Sequence, residues 1–413
     1  MKGTVRGNAD YEDIETELEE GVRLFPAIHE KDSPGIADKI EGQTLDVGFR
    51  LSYKAEGGAN VIFKIEISGA EYLPLLPAPT RQKMQALQGM LLRIRKQVGA
   101  HARSTREMME EYETRIKPLF EPKYLLRQKL IRLPRDTTLL LRQILVAAEE
   151  KGLRPVHRRG DALVPQSYIA TAGLSTEDPE YPEDHGILVQ DLSPQIHKER
   201  LLEFKPKWLI SSRNAPATSK RCRTCALREM RRADKTPPGR GDSQFCPLDL
   251  LSNKSHVLRP ALDKLWNSNK TEREVPNLMF FEEQDEATGV AGDLFEKEFR
   301  RKVQRLLGHL KGLQQIYCHA DLREFDCGSD EDLSIAMALR DCSVLLKIEA
   351  VQEKVEILDV KLIDLDLKLA TSSKRKKWME MERRLVEEGW YEGKMPPGIV
   401  EDEITCRESR SCT

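Results

Sequence analysis

The sequence predicts an α+β fold, and three observations predict it. "FRLSYKAEGGANVIFKIEI" (49–67) reads as strand, glycine-containing turn, strand. The middle of the chain is mostly helical in pattern. The chain then closes on two strand patterns, "CSVLLKIEA" (342–350) and "VEILDVKLIDLDLKL" (355–369), before a charged helix. Strands with helices first, helices next and a hairpin last is the order of a two-lobed α+β chain.

Taken in order, residues 1–45 are acidic and weakly periodic, and are expected to form a partly disordered extension. "GMLLRIRKQV" (89–98) fits a strand or the start of a helix. "STREMMEEYETRIKPLF" (104–120) is helical up to Pro118, and "TTLLLRQILVAAEEKG" (137–152) is helical up to Gly152. "HGILVQDL" (185–192) and "RLLEFKPKWLI" (200–210) are short apolar strands. "TSKRCRTCALREMRRADK" (218–235) is a basic helix, followed by the loop "TPPGRGDSQ" (236–244). Helices are expected at 255–266, 293–317 and 330–341, the last with acidic residues in its first turn as the helix dipole favours. A charged helix, 374–390, follows the closing hairpin.

With 413 residues the chain is long enough for a substantial core and two or three structural units. Charged residues make up 32%, apolar residues 39%, and the net charge is −2. There is therefore no global basic field, nucleic acid is not an expected partner, and any anion site must be a local gathering of Lys and Arg. No run approaches the roughly 20 apolar residues of a membrane span. Eight cysteines without a regular framework suggest reduced thiols and an intracellular setting, cytoplasm or nucleus.

Several stretches could carry chemistry. On a strand running to 369, Ile363, Leu365, Leu367 and Leu369 share one face and Asp364, Asp366 and Lys368 the other. That polar face either meets solvent or lines a cleft for a cation and an anionic substrate. With a two-residue turn at Gln352–Glu353, residues whose numbers sum to 705 pair, which sets Asp341 across from Asp364. "AEGGAN" (55–60) is a glycine turn whose backbone could approach phosphates, or simply a turn. In "EFKPK" (203–207) Lys205 and Lys207 share a face of an extended segment, either a solvated edge or an anion site. Cys222 and Cys225 have metal-ligand spacing but lack a second ligand pair, and Cys318, His319 and Cys327 are irregularly spaced. Structural thiols are the expected use. The arginines between 221 and 232 could clamp several phosphates, whereas RNA binding would call for interleaved aromatics that are missing.

Together "EGGAN", "LLRIRK", "EFKPK", "CRTC", "CPLDLLS", "LRDCSVLLKI" and "IDLDLKL", in that order from about residue 53 to 369, resemble the inositol-pentakisphosphate 2-kinase family, in a fungal-type form. The resemblance implies a bilobal fold distantly like protein kinases, an N-lobe at 46–189 and a C-lobe at 190–413. It implies transfer of the ATP γ-phosphate to the 2-hydroxyl of inositol 1,3,4,5,6-pentakisphosphate, giving the hexakisphosphate, with Mg²⁺ and by a monomer without membrane partners. On that basis Gly57, Gly58, Ala59, Asn60, Arg93, Asp191, Glu203 and Lys205 meet ATP, with Val189 to Asp191 as a hinge. Asp341 is the base and Asp364 the magnesium ligand and second catalytic carboxylate. Lys205, Lys207, Arg154, Arg223, Arg231, Lys254 and Lys368 meet substrate phosphates. The sequence departs from the family at Ala55, Leu227, Arg231 and His256, and no arginine among 372–375 matches clearly. The plant-type zinc site of paired His and Cys is incomplete, so no zinc is expected. A non-catalytic binding module using the same basic pocket is the alternative.

Overall fold

The computed structural model describes residues 39–40, 43–44, 48–75, 78–96, 104–133, 137–155, 158, 185–195, 198–234, 245–268, 286–317, 330–351, 354–368 and 371–394. Helix and sheet are mixed, as an α+β chain requires, and the chain divides into two compact units, Met1–Glu110 with Arg127–Asp191 and Glu111–Leu126 with Leu192–Thr413. From the acidic extension, β1 (Lys39–Ile40) and β2 (Gln43–Thr44) form a short antiparallel pair. Residues 236–244, 318–329 and 352–353, which hold the expected loop, Cys318, His319, Cys327 and the hairpin turn, lie outside the described residues.

In the first unit, β3 (Gly48–Glu56) and β4 (Asn60–Ser68) form the expected hairpin. They are followed by α1 (Ala78–Leu87), then β5 (Met90–Arg95), the strand alternative for that segment. At the end of α2 (Thr105–Glu111) the chain passes into the second unit, and it returns at β6 (Gln128–Arg132), α3 (Thr137–Glu150) and β7 (His185–Gln190). The sheet is antiparallel throughout, in the order β3-β4-β5-β7-β6. Val61 and Phe63 of β4 and Leu92 and Ile94 of β5 alternate onto one buried face, against Leu141 and Leu145 of α3. Gly152 takes φ +66° just past α3, a left-handed conformation that ends a helix at little cost for a residue without Cβ.

The second unit holds β8 (Glu199–Phe204), α4 (Arg223–Ala233), α5 (Ser255–Ser268), α6 (Glu286–Glu298), α7 (Gln304–Ile316), α8 (Asp330–Asp341), β9 (Ser343–Val351), β10 (Lys354–Ile363) and α9 (Ser372–Glu387). The single helix expected over 293–317 starts earlier and is interrupted by a π-turn at Phe299–Val303, which puts Phe299 and Val303 fully inside. β10, β9 and β8 form an antiparallel sheet.

Two expectations are corrected here. The last strand ends at Ile363 rather than 369. A bulge between Ile357 and Asp359 also shifts the register, so that Ile357 faces Ile348 but Ile363 faces Ser343. The pairing of Asp341 with Asp364 therefore fails, and Asp341 is instead the last residue of α8. A bulge adds one unpaired residue and leaves no mark in the alternation pattern.

The first hairpin is anchored by a buried charge. Glu56, the last residue of β3, takes Lys96 at 2.5 Å and Arg154 at 2.8 and 3.0 Å. Lys96 reaches it because the β4–β5 register ends at Asn60 and Arg95, and the Lys96 N–H bonds the Ala59 carbonyl at 2.7 Å. Burial alone would raise the Glu56 carboxyl, but the hydrogen bonds from Arg154 and Lys96 outweigh it and bring it from 4.5 to about 2. Glu56 is thus ionised in the folded state at a pH where the unfolded chain is protonated. Its stabilisation is complete above pH 4.5 and is lost as pH falls toward 2. Glu56→Gln removes the carboxylate shared by two buried cations, Lys96 and Arg154, of which Arg154 keeps Glu149, and should cost about 3 kcal/mol. Amide-exchange protection of β4 and β5 at pH 7 measures this, and the gap to wild type should narrow below pH 4.5. A gap that stays constant with pH would assign the loss to packing rather than charge.

Candidate active site

Three separated segments of the second unit bring their charges to one spot. Asp341 ends α8, Lys205 and Lys207 follow β8, and Asp364 and Lys368 follow β10. The Lys207 ammonium donates to Asp341 Oδ1 at 2.7 Å, and Lys368 bonds Asp341 Oδ2. Lys205 donates to the Asp341 backbone carbonyl at 2.6 Å and to Asp364 Oδ2 at 2.8 Å. A lysine at the carbonyl end of α8 also suits the helix dipole. Both carboxylates stay open to solvent, Asp341 at 37% and Asp364 at 46% exposure.

Cations outnumber carboxylates here, and the lysines register it. Burial and the neighbouring Lys205, Lys207 and Lys374 push Lys368 down to about 8. Burial, Lys205 and Arg231 lower Lys207. Arg231, on α4, is thus within electrostatic reach of the cluster. Cys342, beside Asp341, is pushed up to about 12 by complete burial and stays a thiol.

The backbone is unusual at the same place. Among the described residues, Lys207 (φ +51°) and Asp364 (φ +59°) are the non-glycine residues with positive φ, and both belong to the cluster. The left-handed region costs such residues about 1–2 kcal/mol each. Strain of this kind persists where surrounding structure imposes it, and it gathers at functional sites. Lys205 and Lys207 therefore do not share a face of an extended segment as expected. The strand stops at Phe204, and the left-handed turn at Lys207 brings the two ammonium groups together.

The sequence did not point to what holds that turn. Gln314 of α7 is completely buried; its amide donates to the carbonyls of Lys207 (2.7 Å) and Leu339 (3.0 Å) and accepts the Leu209 N–H (2.8 Å). One side chain thus ties the Lys207 turn to the end of α8 that presents Asp341. Beneath it, the Trp208 ring lies between the guanidiniums of Arg223 and Arg340, at 4.2 and 4.4 Å. The signal in the sequence is slight: Gln314 stands at helical spacing from Leu307 and Leu310, on the buried face of α7.

The remaining expected site residues are placed as follows. Gly57, Gly58 and Ala59 form the turn between β3 and β4, Asn60 opens β4, and Arg93 lies half-buried on β5 opposite Ile62 and Ile187. Asp191 directly follows β7, its N–H bonded to the Gly89 carbonyl at 2.8 Å and its carboxylate 3.6 Å from Lys54. Glu203 is exposed on β8, and Lys254 is exposed just before α5. Arg223 and Arg154 do not present their charge to solvent: Arg223 is 4% exposed with Nε 2.7 Å from Glu382, and Arg154 is 3% exposed in the Glu56 pair. Their guanidiniums are committed to protein carboxylates. Cys222 and Cys225 gain a partner that spacing alone did not supply, since the sulfurs of Cys222, Cys225 and Cys246 lie within 4.8 Å of one another.

A solvent-open carboxylate pair set among surplus cations, with strained backbone at Lys207 and Asp364, suits transfer of a highly charged phosphate group. The family model described as inositol-pentakisphosphate 2-kinase matches residues 53–327 and 296–384, which take in both the glycine turn and the lysine–aspartate cluster. The chain belongs to the inositol-pentakisphosphate 2-kinase family. An inositol-pentakisphosphate 2-kinase of Yarrowia lipolytica is 26% identical over 234 residues, covering 52% of this chain and 68% of that protein. Membership makes the chain a kinase, a transferase of inositol phosphate chemistry. Among the described residues no helix is long and apolar enough to cross a membrane.

Gln314→Leu keeps much of the volume but takes the amide away from the Lys207 carbonyl, the Leu209 N–H and the Leu339 carbonyl, the last retaining the Cys342 thiol. At about 1–3 kcal/mol per unsatisfied group, the variant should lose several degrees of Tm. It should also lose the left-handed Lys207, visible as a shifted Lys207–Trp208 amide environment by NMR. Unchanged Tm would remove Gln314 as the anchor of the turn.

Proposed function

We propose that this chain transfers the γ-phosphoryl group of ATP to the 2-hydroxyl of inositol 1,3,4,5,6-pentakisphosphate, giving the hexakisphosphate. The observation that carries the reading is Asp341, an exposed carboxylate fixed by lysines on both oxygens and by Lys205 on its own carbonyl. In this reading Asp341 accepts the hydroxyl proton. The lysines around it, Lys205, Lys207 and Lys368, exchange carboxylate contacts for substrate phosphates, with Arg231 of α4 and Lys254, just before α5, adding charge. Phosphoryl transfer asks a protein for positioning and charge neutralisation more than for covalent help.

Asp364 suits a divalent metal. Its Oδ2 is held by Lys205, while Oδ1 bonds to no described residue and the side chain is open to solvent. Mg²⁺ there would neutralise charge on the phosphates of ATP. For the nucleotide, Gly57 is informative: the local fold does not demand glycine, since its φ is not positive and a Cβ would meet nothing within 4 Å. Open space over a turn clamped at Glu56 leaves room for phosphates, with Gly58, Ala59, Asn60, Arg93 and Asp191 of the same unit completing the nucleotide contacts. A distantly protein-kinase-like bilobal fold, with an N-lobe at 46–189 and a C-lobe at 190–413, belongs to the same reading. So does a monomer working in the cytoplasm or nucleus, in keeping with reduced cysteines. The binding-module alternative has no support from the intact Asp341 and Asp364.

The decisive assay incubates the protein with Mg-ATP and inositol pentakisphosphate and resolves the products. Asp341→Ala and Asp364→Asn should each lower kcat about 10²–10⁴-fold with little change in Tm. Activity within a few fold of wild type in both would remove the assignment. Gly57→Ala should raise the KM for ATP and leave Tm in place.

A pH profile tests the lysines. Lys368 loses its proton as pH rises through about 8 instead of its ordinary 10.5, so the KM for the inositol phosphate should climb between pH 7 and 9. Lys368→Arg, which keeps its charge, should flatten that rise.

A further inference from the structure

A cavity of about 530 Å³ lies along α9, outside the lysine–aspartate cluster. Lys376 lines it, whereas Lys374, whose charge reaches Lys368, stands about 200° round the helix from Lys376. The cavity therefore belongs to a different face of α9 from the one turned to the proposed reaction. Its volume falls in the range of small-molecule sites, about 300–1,000 Å³.

The most buried part of the lining holds an unused polar group. Asn214 is 5% exposed, and its backbone N–H bonds Ser212 Oγ at 3.2 Å. Its carboxamide has no hydrogen-bond partner among the described residues. The amide atoms are not sealed in the interior, so they open into the cavity that Asn214 lines. A polar group so far withdrawn from water is costly to leave unbonded. Glu382, also in the lining, is fixed by bonds from Arg223, Ser212 and Tyr391.

Toward solvent the lining changes character. Met379 and Val386, both half-buried, stand seven residues apart on one face of α9 and form an apolar wall. At the mouth Arg383 is tied to Glu380 and to Glu387, while Lys376 is exposed and makes no ion pair among the described residues. From buried to exposed, the cavity offers a paired donor and acceptor, an apolar wall and one uncommitted cation.

We propose that this cavity binds an adenine mononucleotide, base inward and phosphate at Lys376. A carboxamide bonds adenine N6 and N7 together, which would use both halves of the Asn214 amide. A thioether is a favourable neighbour for an aromatic ring, and Met379 supplies one. A lone ammonium at the mouth suits a phosphate. Occupancy has a built-in reporter: Trp378 adjoins Met379 in sequence, and its ring lies 6.1 Å from that of Trp208.

The test titrates the full-length protein with AMP, followed by tryptophan emission and calorimetry. Mg²⁺ and the non-hydrolysable ATP analogue AMP-PNP are kept in excess throughout, so that a nucleotide site at the glycine turn does not contribute. One AMP per chain should bind and change the emission. Adenosine, without the phosphate, and ribose 5-phosphate, without the base, should each bind about tenfold more weakly or worse, the loss expected for a charge-assisted bond. Asn214→Leu and Lys376→Ala should each weaken AMP by a similar factor and leave turnover without AMP unchanged. Lys376 is exposed, so its variant keeps the test sound if Asn214→Leu folds poorly. No saturable binding at millimolar AMP would overturn the proposal. So would complete displacement of AMP by the ATP analogue, adenosine binding as tightly as AMP, or an affinity unchanged by Lys376→Ala.

Discussion

Everything at the lysine–aspartate cluster depends on one buried amide. A left-handed lysine is unfavourable by itself, and nothing in Lys207 or its proline neighbour supplies a reason to adopt it. Gln314 supplies the reason by bonding the backbone on both sides of Trp208 together with the last turn of α8. Its bonds to Leu209 and Leu339 are buried, so losing them takes a hydrogen-bond partner from backbone groups shielded from water. The geometry at Asp341 is therefore held from the interior outward, and the solvent-facing charges add little of the holding energy themselves. Exposed ion pairs rarely contribute more than about 1 kcal/mol each.

That division of labour lets the surface charges serve chemistry. Lys205, Lys207 and Lys368 do not have to stay on the carboxylates to keep the fold intact, so they are available to an incoming anion. Arg223, by contrast, is withdrawn from solvent into Glu382, which also takes hydrogen bonds from Ser212 and Tyr391. It lies under the site, stacked on Trp208, and its charge lowers the cost of burying a carboxylate there. Arg154 does the same for Glu56 beneath the glycine turn. In both units an arginine that sequence order associates with ligand instead supports the segment that would meet ligand.

Much of this was legible in the residues. The hairpin at 49–67, the helices at 137–152, 223–233 and 330–341, and the two closing strands follow from period and punctuation alone. The family resemblance decided the choice of Lys205, Lys207, Asp341, Asp364 and Lys368, which the fold gathers although the register used to pair the aspartates was wrong. The misses share a cause. A π-turn at Phe299–Val303, a bulge after Ile357 and a left-handed Lys207 are each set by tertiary packing, and none changes which residue types occupy the pattern. Partnerships across long separations were equally hidden: Glu56 with Arg154, Arg223 with Glu382, and Cys246 with the CxxC pair.

The stacked Trp208 has an optical consequence. The four tryptophans of the chain, Trp208, Trp266, Trp378 and Trp390, all belong to the second unit. Indole emission under selective excitation is therefore blind to the glycine-turn unit and reports only on the one that carries Asp341. Within it, Trp208 lies between two guanidiniums one residue from Lys207, so its emission is an intrinsic gauge of whether that turn is intact. Melting curves followed by fluorescence and by far-ultraviolet circular dichroism need not coincide for this chain, and the interval between them would measure how independently its two units unfold.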